Sequence, residues 1–410
     1  MTTVRQKQFG CICSSTPPVH DLTPALHGHH PPVHDGKNNV NACNETPLYH
    51  ALQQYGWTFV SVSLSQLHND HTVHTLQSLR NTKPRILEIM EATARRQEKQ
   101  SVLVYRGRQA ESGSTTVEPE PKQSIELARK DCVVPQDDTD NAVGVISQWL
   151  LAMHQIAMAV TRELGLPESS LLSCRDGDDN DPLDLLRVFL YDNVDTLDAS
   201  KNTSHDDDDD HNVVLGSSPH TDWGSWTVVW QDNEGGLQTH CPVCDRYNPV
   251  SPVSPTMNND DDDVVHFVVH VGDTTSLALN GPQNERDVVR FASPKHRVVC
   301  PTNGRPRASL VYFCYPDPTK SLAWVQEQLV SFDSHNNDND NNESRPEQVL
   351  LDLYGAYSLL QNQRPNGLIE DPASVYERIR TQPLRNVFQD KWNQVQRQPK
   401  DNDDDCNDTK

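Results

Sequence analysis

The sequence predicts a mostly β fold with flanking helices, whose core is a double-stranded β-helix, or jelly roll, of short strands. Three observations carry this expectation. Between residues 181 and 318, short runs rich in Val, Thr and aromatic residues alternate with Gly, Asn, Asp and Pro turn signals, as in a double-sheet β fold. His220 and Asp222 stand two apart, so on an extended chain both leave one face, and a further histidine, His296, arrives much later. Arg307 and Ser309 repeat that spacing and offer a guanidinium fork and a hydroxyl to a carboxylate.

Taken in order, residues 1–45 are rich in Pro, His and Asn and read as a tail without a core. Within them Pro17-Pro18-Val19-His20-Asp21 is echoed at Pro31-Pro32-Val33-His34-Asp35. Residues 46–180 read as a mixed, largely helical region that packs on the barrel. Pro47 opens a short amphipathic helix (Leu48, Ala51, Leu52), Gly56 stops it, and Trp57 to Val62 is a strand. Residues 71–100 look helical, with Pro84 separating two helices. Ser101 to Tyr105 is a candidate strand, followed by a polar stretch from Gly113 to Lys122. Asn141 to Leu164 has the strongest helical spacing, through Val145, Trp149, Ala152, Ile156, Ala159 and Val160. His154 inside it reads as a packed or surface residue and not as a ligand.

Residues 181–318 are the expected barrel, with acidic insertions. In Leu185 to Tyr191, Arg187, Phe189 and Tyr191 share one face of a strand. Val264 to His270 and Thr274 to Leu279 read as further strands around Gly272-Asp273. His266 and His270 are rivals to His296 as the distal histidine. Cys241 and Cys244 form C-x-x-C beside His240; without a second pair they read as a turn and not as a zinc site. Residues 319–396 are a helical extension, with helices at Pro346 to Gln361 and Ala373 to Arg380 and Trp392 in a last turn, and 397–410 an acidic tail.

Composition bounds the function. Of 410 residues, 58 are acidic and 35 basic, a net charge of -23, which repels phosphate backbones and argues against a nucleic-acid partner. Much of the charge lies in the runs Asp206 to Asp210, Asp260 to Asp263 and Asp403 to Asp405, which read as solvated insertions. No apolar stretch reads as long enough to span a bilayer and no signal pattern opens the chain, so no membrane partner is expected. Ten scattered cysteines fit a reducing, cytoplasmic setting. Nothing in the sequence fixes an oligomeric state.

Two histidines and a carboxylate that leave positions open form a ligand set suited to non-haem Fe(II). The order of motifs adds to this: His220-Thr221-Asp222, Gly235-Gly236-Leu237-Gln238, Val271-Gly272-Asp273, Asn280-Gly281, His296-Arg297-Val298, then Arg307-Ala308-Ser309. The series resembles the isopenicillin N synthase-like family of Fe(II)/2-oxoglutarate-dependent dioxygenases. The resemblance implies His220, Asp222 and His296 as iron ligands, and 2-oxoglutarate held by Arg307, Ser309 and Tyr191. It implies O2 as the further cosubstrate and a small organic substrate hydroxylated or desaturated with release of succinate and CO2. Arg305 is an alternative anchor but lacks serine at the right offset, and Arg297 reads as a structural ion-pairing residue. The chain departs from the family pattern twice: no Asn-His-Gly follows the Trp57 strand, and Phe189 replaces the family's asparagine. Two other readings stay open: an iron-dependent oxidase of the same fold that does not use 2-oxoglutarate, and a catalytically silent binding protein.

Overall fold

The predicted alternation becomes two facing sheets in the computed structural model, which describes residues 16–26, 46–67, 75–79, 82–96, 102–106, 120–133, 141–173, 182–193, 213–253, 263–280, 291–333, 357–361 and 370–396. The larger sheet contains β1 (Val19–Asp21), β2 (Trp57–Ser63), β3 (Val104–Arg106), β4 (Lys122–Ala128), β5 (Leu185–Tyr191), β7 (Trp226–Gln231), β10 (Val264–Val271) and β12 (Arg307–Cys314). Their spatial order is β1-β2-β10-β7-β12-β5-β4-β3. The smaller sheet contains β6 (Leu215–His220), β8 (Leu237–Cys241), β9 (Arg246–Pro249) and β11 (His296–Val299), in the order β6-β11-β8-β9.

Period-two alternation splits the large sheet into two apolar faces. Val60, Val62, Leu186, Val188, Trp226, Val228, Phe267, Val269, Leu310 and Tyr312 turn outward into the main core beneath the helices. Trp57, Phe59, Phe189, Tyr191, Val229 and Val268 turn inward and meet Leu237 and Val298 of the small sheet. This second core is the inside of the jelly roll.

The helices brace the outer face. They are α1 (Thr23–Leu26), α2 (Pro47–Tyr55), α3 (Thr82–Arg96), α4 (Ala142–Glu163), α5 (Glu168–Leu171), α6 (Asp273–Leu279), α7 (Leu322–Asp333), α8 (Pro372–Thr381) and α9 (Leu384–Gln396). Thr46 caps α2 by accepting from the Tyr49 amide and Gly56 closes it. Asn141 caps α4 by accepting from the Gly144 amide. Ile146, Trp149, Met153, Ile156 and Val160 of α4 are fully buried, and the Trp149 indole donates to Ser78 O at 2.8 Å. By length and composition α4 could cross a membrane, contrary to the expectation of no such stretch, but most of it is buried in this fold.

Several elements correct the sequence reading. Residues 16–26 belong to the fold and not to a coreless tail: β1 pairs in parallel with β2, and Leu22 is buried. The first of the two Pro-Val-His-Asp copies therefore enters the sheet, while the second lies outside the described residues. Pro84 sits in the first turn of α3, where its missing N–H leaves no bond unmade, and the break from the helical residues 75–77 falls just before it. The end of the polar stretch is strand β4, whose Lys122, Ser124 and Glu126 face the jelly-roll interior while Ile125 and Leu127 enter the main core. Residues 274–279 form a helix and not a strand. Gly272 lets the chain pass so close to Gly224 that an added Cβ would lie 2.0 Å from its carbonyl oxygen. The Thr274 and Thr275 hydroxyls then bond Trp223 O and Ser225 O across that contact. Trp392 sits in a full helix, α9, and not in an isolated turn. The acidic runs, apart from Asp263, and most of the insertions 252–263 and 283–289 and of the helix expected at 346–361 lie outside the described residues.

Candidate metal centre and anion anchor

Register brings the two predicted histidines together: β11 runs antiparallel to β6 with His296 directly opposite His220. His296 shares its face with Val298, which lies in the core between the sheets, so His296 points inward. Asp222 follows two residues beyond His220, just after the strand ends. The imidazole centroids of His220 and His296 are 4.4 Å apart. His220 Nε2 lies 3.6 Å from Asp222 Oδ1, and His296 Nε2 lies 3.6 Å from Asp222 Oδ2.

The local hydrogen bonds set the tautomers. His220 Nδ1 faces Ser218 O at 2.7 Å and His296 Nδ1 faces Pro294 O at 3.0 Å. A carbonyl only accepts, so each Nδ1 carries the proton and each Nε2 presents a lone pair to the cluster. Burial lowers the His296 pKa to about 3, against the opposing charge of Asp222, so the ring is neutral at neutral pH. Burial pushes the Asp222 carboxyl upward, but the surrounding imidazoles, His296 first, outweigh it and hold the group below the usual carboxylate range.

Asp222 Oδ2 is buried without a hydrogen-bond partner, and the ligand atoms of His220, Asp222 and His296 all lie within 4.8 Å of one another. Two free imidazole lone pairs and one carboxylate, with an oxygen still unpartnered, make a donor set that fits a divalent transition metal and leaves coordination positions open.

A second feature lies inside the same barrel. Arg307 is 1% exposed, and Tyr191 stands directly opposite it on β5. Its guanidinium donates to Gly235 O, to Ser309 Oγ at 3.2 Å and to Gln231 Oε1 at 3.4 Å, and it lies 4.7 Å from the centre of the Tyr191 ring. Three other buried cations have acids: Lys122 pairs with Glu120 at 2.9 Å, Arg129 with Asp184 at 2.7 Å and Arg187 with Glu126 at 2.9 Å. Arg307 has no acidic partner among the described residues, so a buried cation awaits an anion. Gly236, with φ +94°, makes room for it, because a Cβ there would meet Val299 O at 2.5 Å and Arg307 Cδ at 3.4 Å. The alternative anchor, Arg305, is exposed.

Residues 195–316 match the model of the 2OG-Fe(II) oxygenase superfamily. The chain carries a 2OG-Fe(II) oxygenase domain. Similar proteins include gibberellin 20 oxidase 1-D of Triticum aestivum, 36% identical over 27% of this chain and 25% of that protein. A 1-aminocyclopropane-1-carboxylate oxidase of Dictyostelium mucoroides is 27% identical over 35% of this chain and 33% of its own length. The chain thus spans about a quarter to a third of the curated relatives it matches. The crystal structure of a full-length Neurospora crassa protein in complex with alpha-KG aligns over 74% of this chain and 86% of that one, at TM-score 0.46 and 19% identity.

Residues away from the histidine and arginine motifs also support the cluster. Glu120 Oε1 accepts from the Ser218 amide and hydroxyl, each at 2.7 Å, and so fixes the residue whose carbonyl orients His220. Behind Asp222, the Asp273 amide donates to Asp222 O, and Asp273 Oδ2 accepts from Thr221 Oγ1 and from the Leu359 amide. Ser358 closes this network by exchanging two hydrogen bonds with Thr221. No motif marks Glu120 or Ser358, because their importance comes only from long-range contact. His270, weighed as a rival to His296, lies beside it with ring centroids 4.6 Å apart. His266 is elsewhere, opposite Ser61. Arg297 has a structural role, donating to Gln238 Oε1 and stacking on Tyr247. Cys241 ends β8 ahead of the turn into β9.

Proposed function

We propose that this chain is an Fe(II)- and 2-oxoglutarate-dependent oxygenase that hydroxylates or desaturates a small organic molecule and releases succinate and CO2. The observation that carries the reading is the convergence of two free Nε2 lone pairs on the orphaned carboxylate of Asp222. His220, Asp222 and His296 are the proposed ligands. Fe(II), when bound, supplies activation of O2 coupled to decarboxylation of 2-oxoglutarate and oxidation of a C–H bond.

The remaining work belongs to the protein. Arg307 takes the remote carboxylate of 2-oxoglutarate in a charge-assisted pair, and Ser309 adds a hydroxyl to the same anion. Tyr191 carries the guanidinium on its ring face. Phe189, Val229, Leu237, Val268 and Val298 form apolar walls that keep water out. Phe189 packs on Tyr191 with centroids 5.7 Å apart and takes an aromatic, not a polar, part in the pocket. In an iron oxidase that does not use 2-oxoglutarate, Arg307 would equally take a carboxylate of the substrate, so succinate formation is what separates the two readings. Cys300 and Cys314, both buried free thiols, support a reducing, cytoplasmic setting.

Succinate release against a metabolite library tests the proposal. His220→Ala should abolish release, and Arg307→Ala should raise the 2-oxoglutarate requirement by about 100-fold, about 2.7 kcal/mol. Product without succinate would favour the iron oxidase. Absence of both turnover and an anaerobic Fe(II)–2-oxoglutarate absorption band would favour the silent binding protein.

A further inference from the structure

The cluster contains a third imidazole that the proposed ligand set does not use. His270 lies on β10, opposite Thr227 of β7 and Trp57 of β2, and shares the inward face of Val268. It is 1% exposed, and neither ring nitrogen has a hydrogen-bond partner. Leaving such groups buried and unsatisfied is unfavourable. Its Nδ1 lies 3.8 Å from Asp222 Oδ2, which is also without a partner. Two orphaned atoms of complementary type thus face each other just beyond hydrogen-bond range. His270 lies outside the group whose ligand atoms are all within 4.8 Å of one another.

We propose that His270 is a positioning residue for Asp222: its Nδ1–H donates to Oδ2 in the metal-loaded site, so that the carboxylate offers Oδ1 to the metal. The inference rests on the metal-centre reading above. A ligand carboxylate needs its second oxygen held, because a carboxylate free to rotate can chelate and occupy a position that the cosubstrate or O2 requires. Partners of this kind typically change metal affinity by about 10- to 100-fold. The buried ring also lies beside the His296 ring, with centroids 4.6 Å apart, so the residue limits the motion of both neighbours.

The test uses the full-length, metal-free protein under anaerobic conditions, titrated with Co(II) and followed by its visible absorption bands. X-ray absorption counts the imidazoles bound. Wild type should bind Co(II) with two imidazoles. His270→Phe, which keeps a planar ring but loses the donor, should bind about 10- to 100-fold more weakly. His270→Asn, which returns an N–H near the Nδ1 position, should recover most of the affinity and keep the count at two. Unchanged affinity in a folded His270→Phe would overturn the inference, as would a folded His270→Asn that binds no better than His270→Phe. A wild-type count of three that falls to two in either variant would make His270 a ligand and overturn it equally. Should His270→Phe not fold, the wild-type count and the His270→Asn affinity decide. Failure of the wild type itself to bind Co(II) removes the metal-centre reading and this inference together, whereas the other outcomes touch only His270.

Discussion

His154 and His296 are both kept neutral by burial, yet their free nitrogens meet different fates. His296 spends Nδ1 on a backbone carbonyl and keeps Nε2 for the cluster. His154, inside α4, faces the Tyr312 hydroxyl through Nδ1 at 2.8 Å, on the outer side of the large sheet. Burial, with the charges of Arg129 and Arg162 adding to it, lowers the His154 pKa to about 3 from 6.5. The folded state therefore resists protonation more than the unfolded chain does. This contribution to stability is complete above pH 6.5 and is lost as pH falls toward about 3. The slope in that window is about 1.4 kcal/mol per pH unit for the one proton. Urea midpoints between pH 7 and 4.5 should fall less steeply in His154→Gln than in wild type; equal slopes would mean that His154 is not the group responsible. At this scale the sequence singled out the three residues that the structure clusters, because His220, Asp222 and His296 lie in distinctive local motifs. It placed His296 ahead of His270 but gave no sign that His270 lies against the cluster, because the proximity of β10 to the His220–Asp222 turn is a property of sheet packing and not of spacing.

Elements were legible where one face had to be apolar and the other did not. Helix α4 follows its predicted bounds almost to the residue, since Trp149, Ala152, Ile156 and Val160 define an unbroken buried stripe. Replacing the fully buried Ile156 with Ala should cost about 2–5 kcal/mol, and with Val about 0.5–1.5 kcal/mol. The readout is a lower denaturant midpoint at unchanged m-value, and a loss under about 1 kcal/mol for Ile156→Ala would mean that this face is not packed on the sheet. Strand β4 was missed because its polar residues, Lys122, Ser124 and Glu126, face the barrel interior, which inverts the usual assignment of polar residues to solvent. Helix α6 was misread because Thr274, Thr275, Leu277 and Leu279 carry strand-like chemistry. Tertiary hydrogen bonds to Trp223 and Ser225, not intrinsic propensity, select the helix. Helix α9 was reduced to a single turn, yet its Trp392 meets Trp223 at 5.4 Å and the Arg187 guanidinium at 5.0 Å. That contact packs α9 against the residue next to Asp222 and joins residues far apart in the chain.

The whole molecule sets a conflict between its outer charge and its inner one. The chain carries a net charge of -23, whereas the proposed cosubstrate is a dianion whose destination is the buried Arg307. At low salt the long-range field of the protein opposes approach, because the Debye length is about 30 Å at 0.01 M and about 8 Å at 0.15 M. Once 2-oxoglutarate is inside, the guanidinium is close and weakly screened, so its attraction survives added salt. The two effects separate in rate. Association of 2-oxoglutarate with the metal-loaded protein should accelerate severalfold between about 0.01 M and about 0.15 M NaCl, while the dissociation rate changes little. Stopped-flow absorbance of the anaerobic Fe(II) complex measures both rates. A cationic pocket mouth that steers the anion would give the reverse, an association rate that falls with salt, and would move the governing field from the molecule's net charge to the mouth of the barrel. Arg307→Ala sharpens the test, since it should speed dissociation at every ionic strength and leave the salt dependence of association in place.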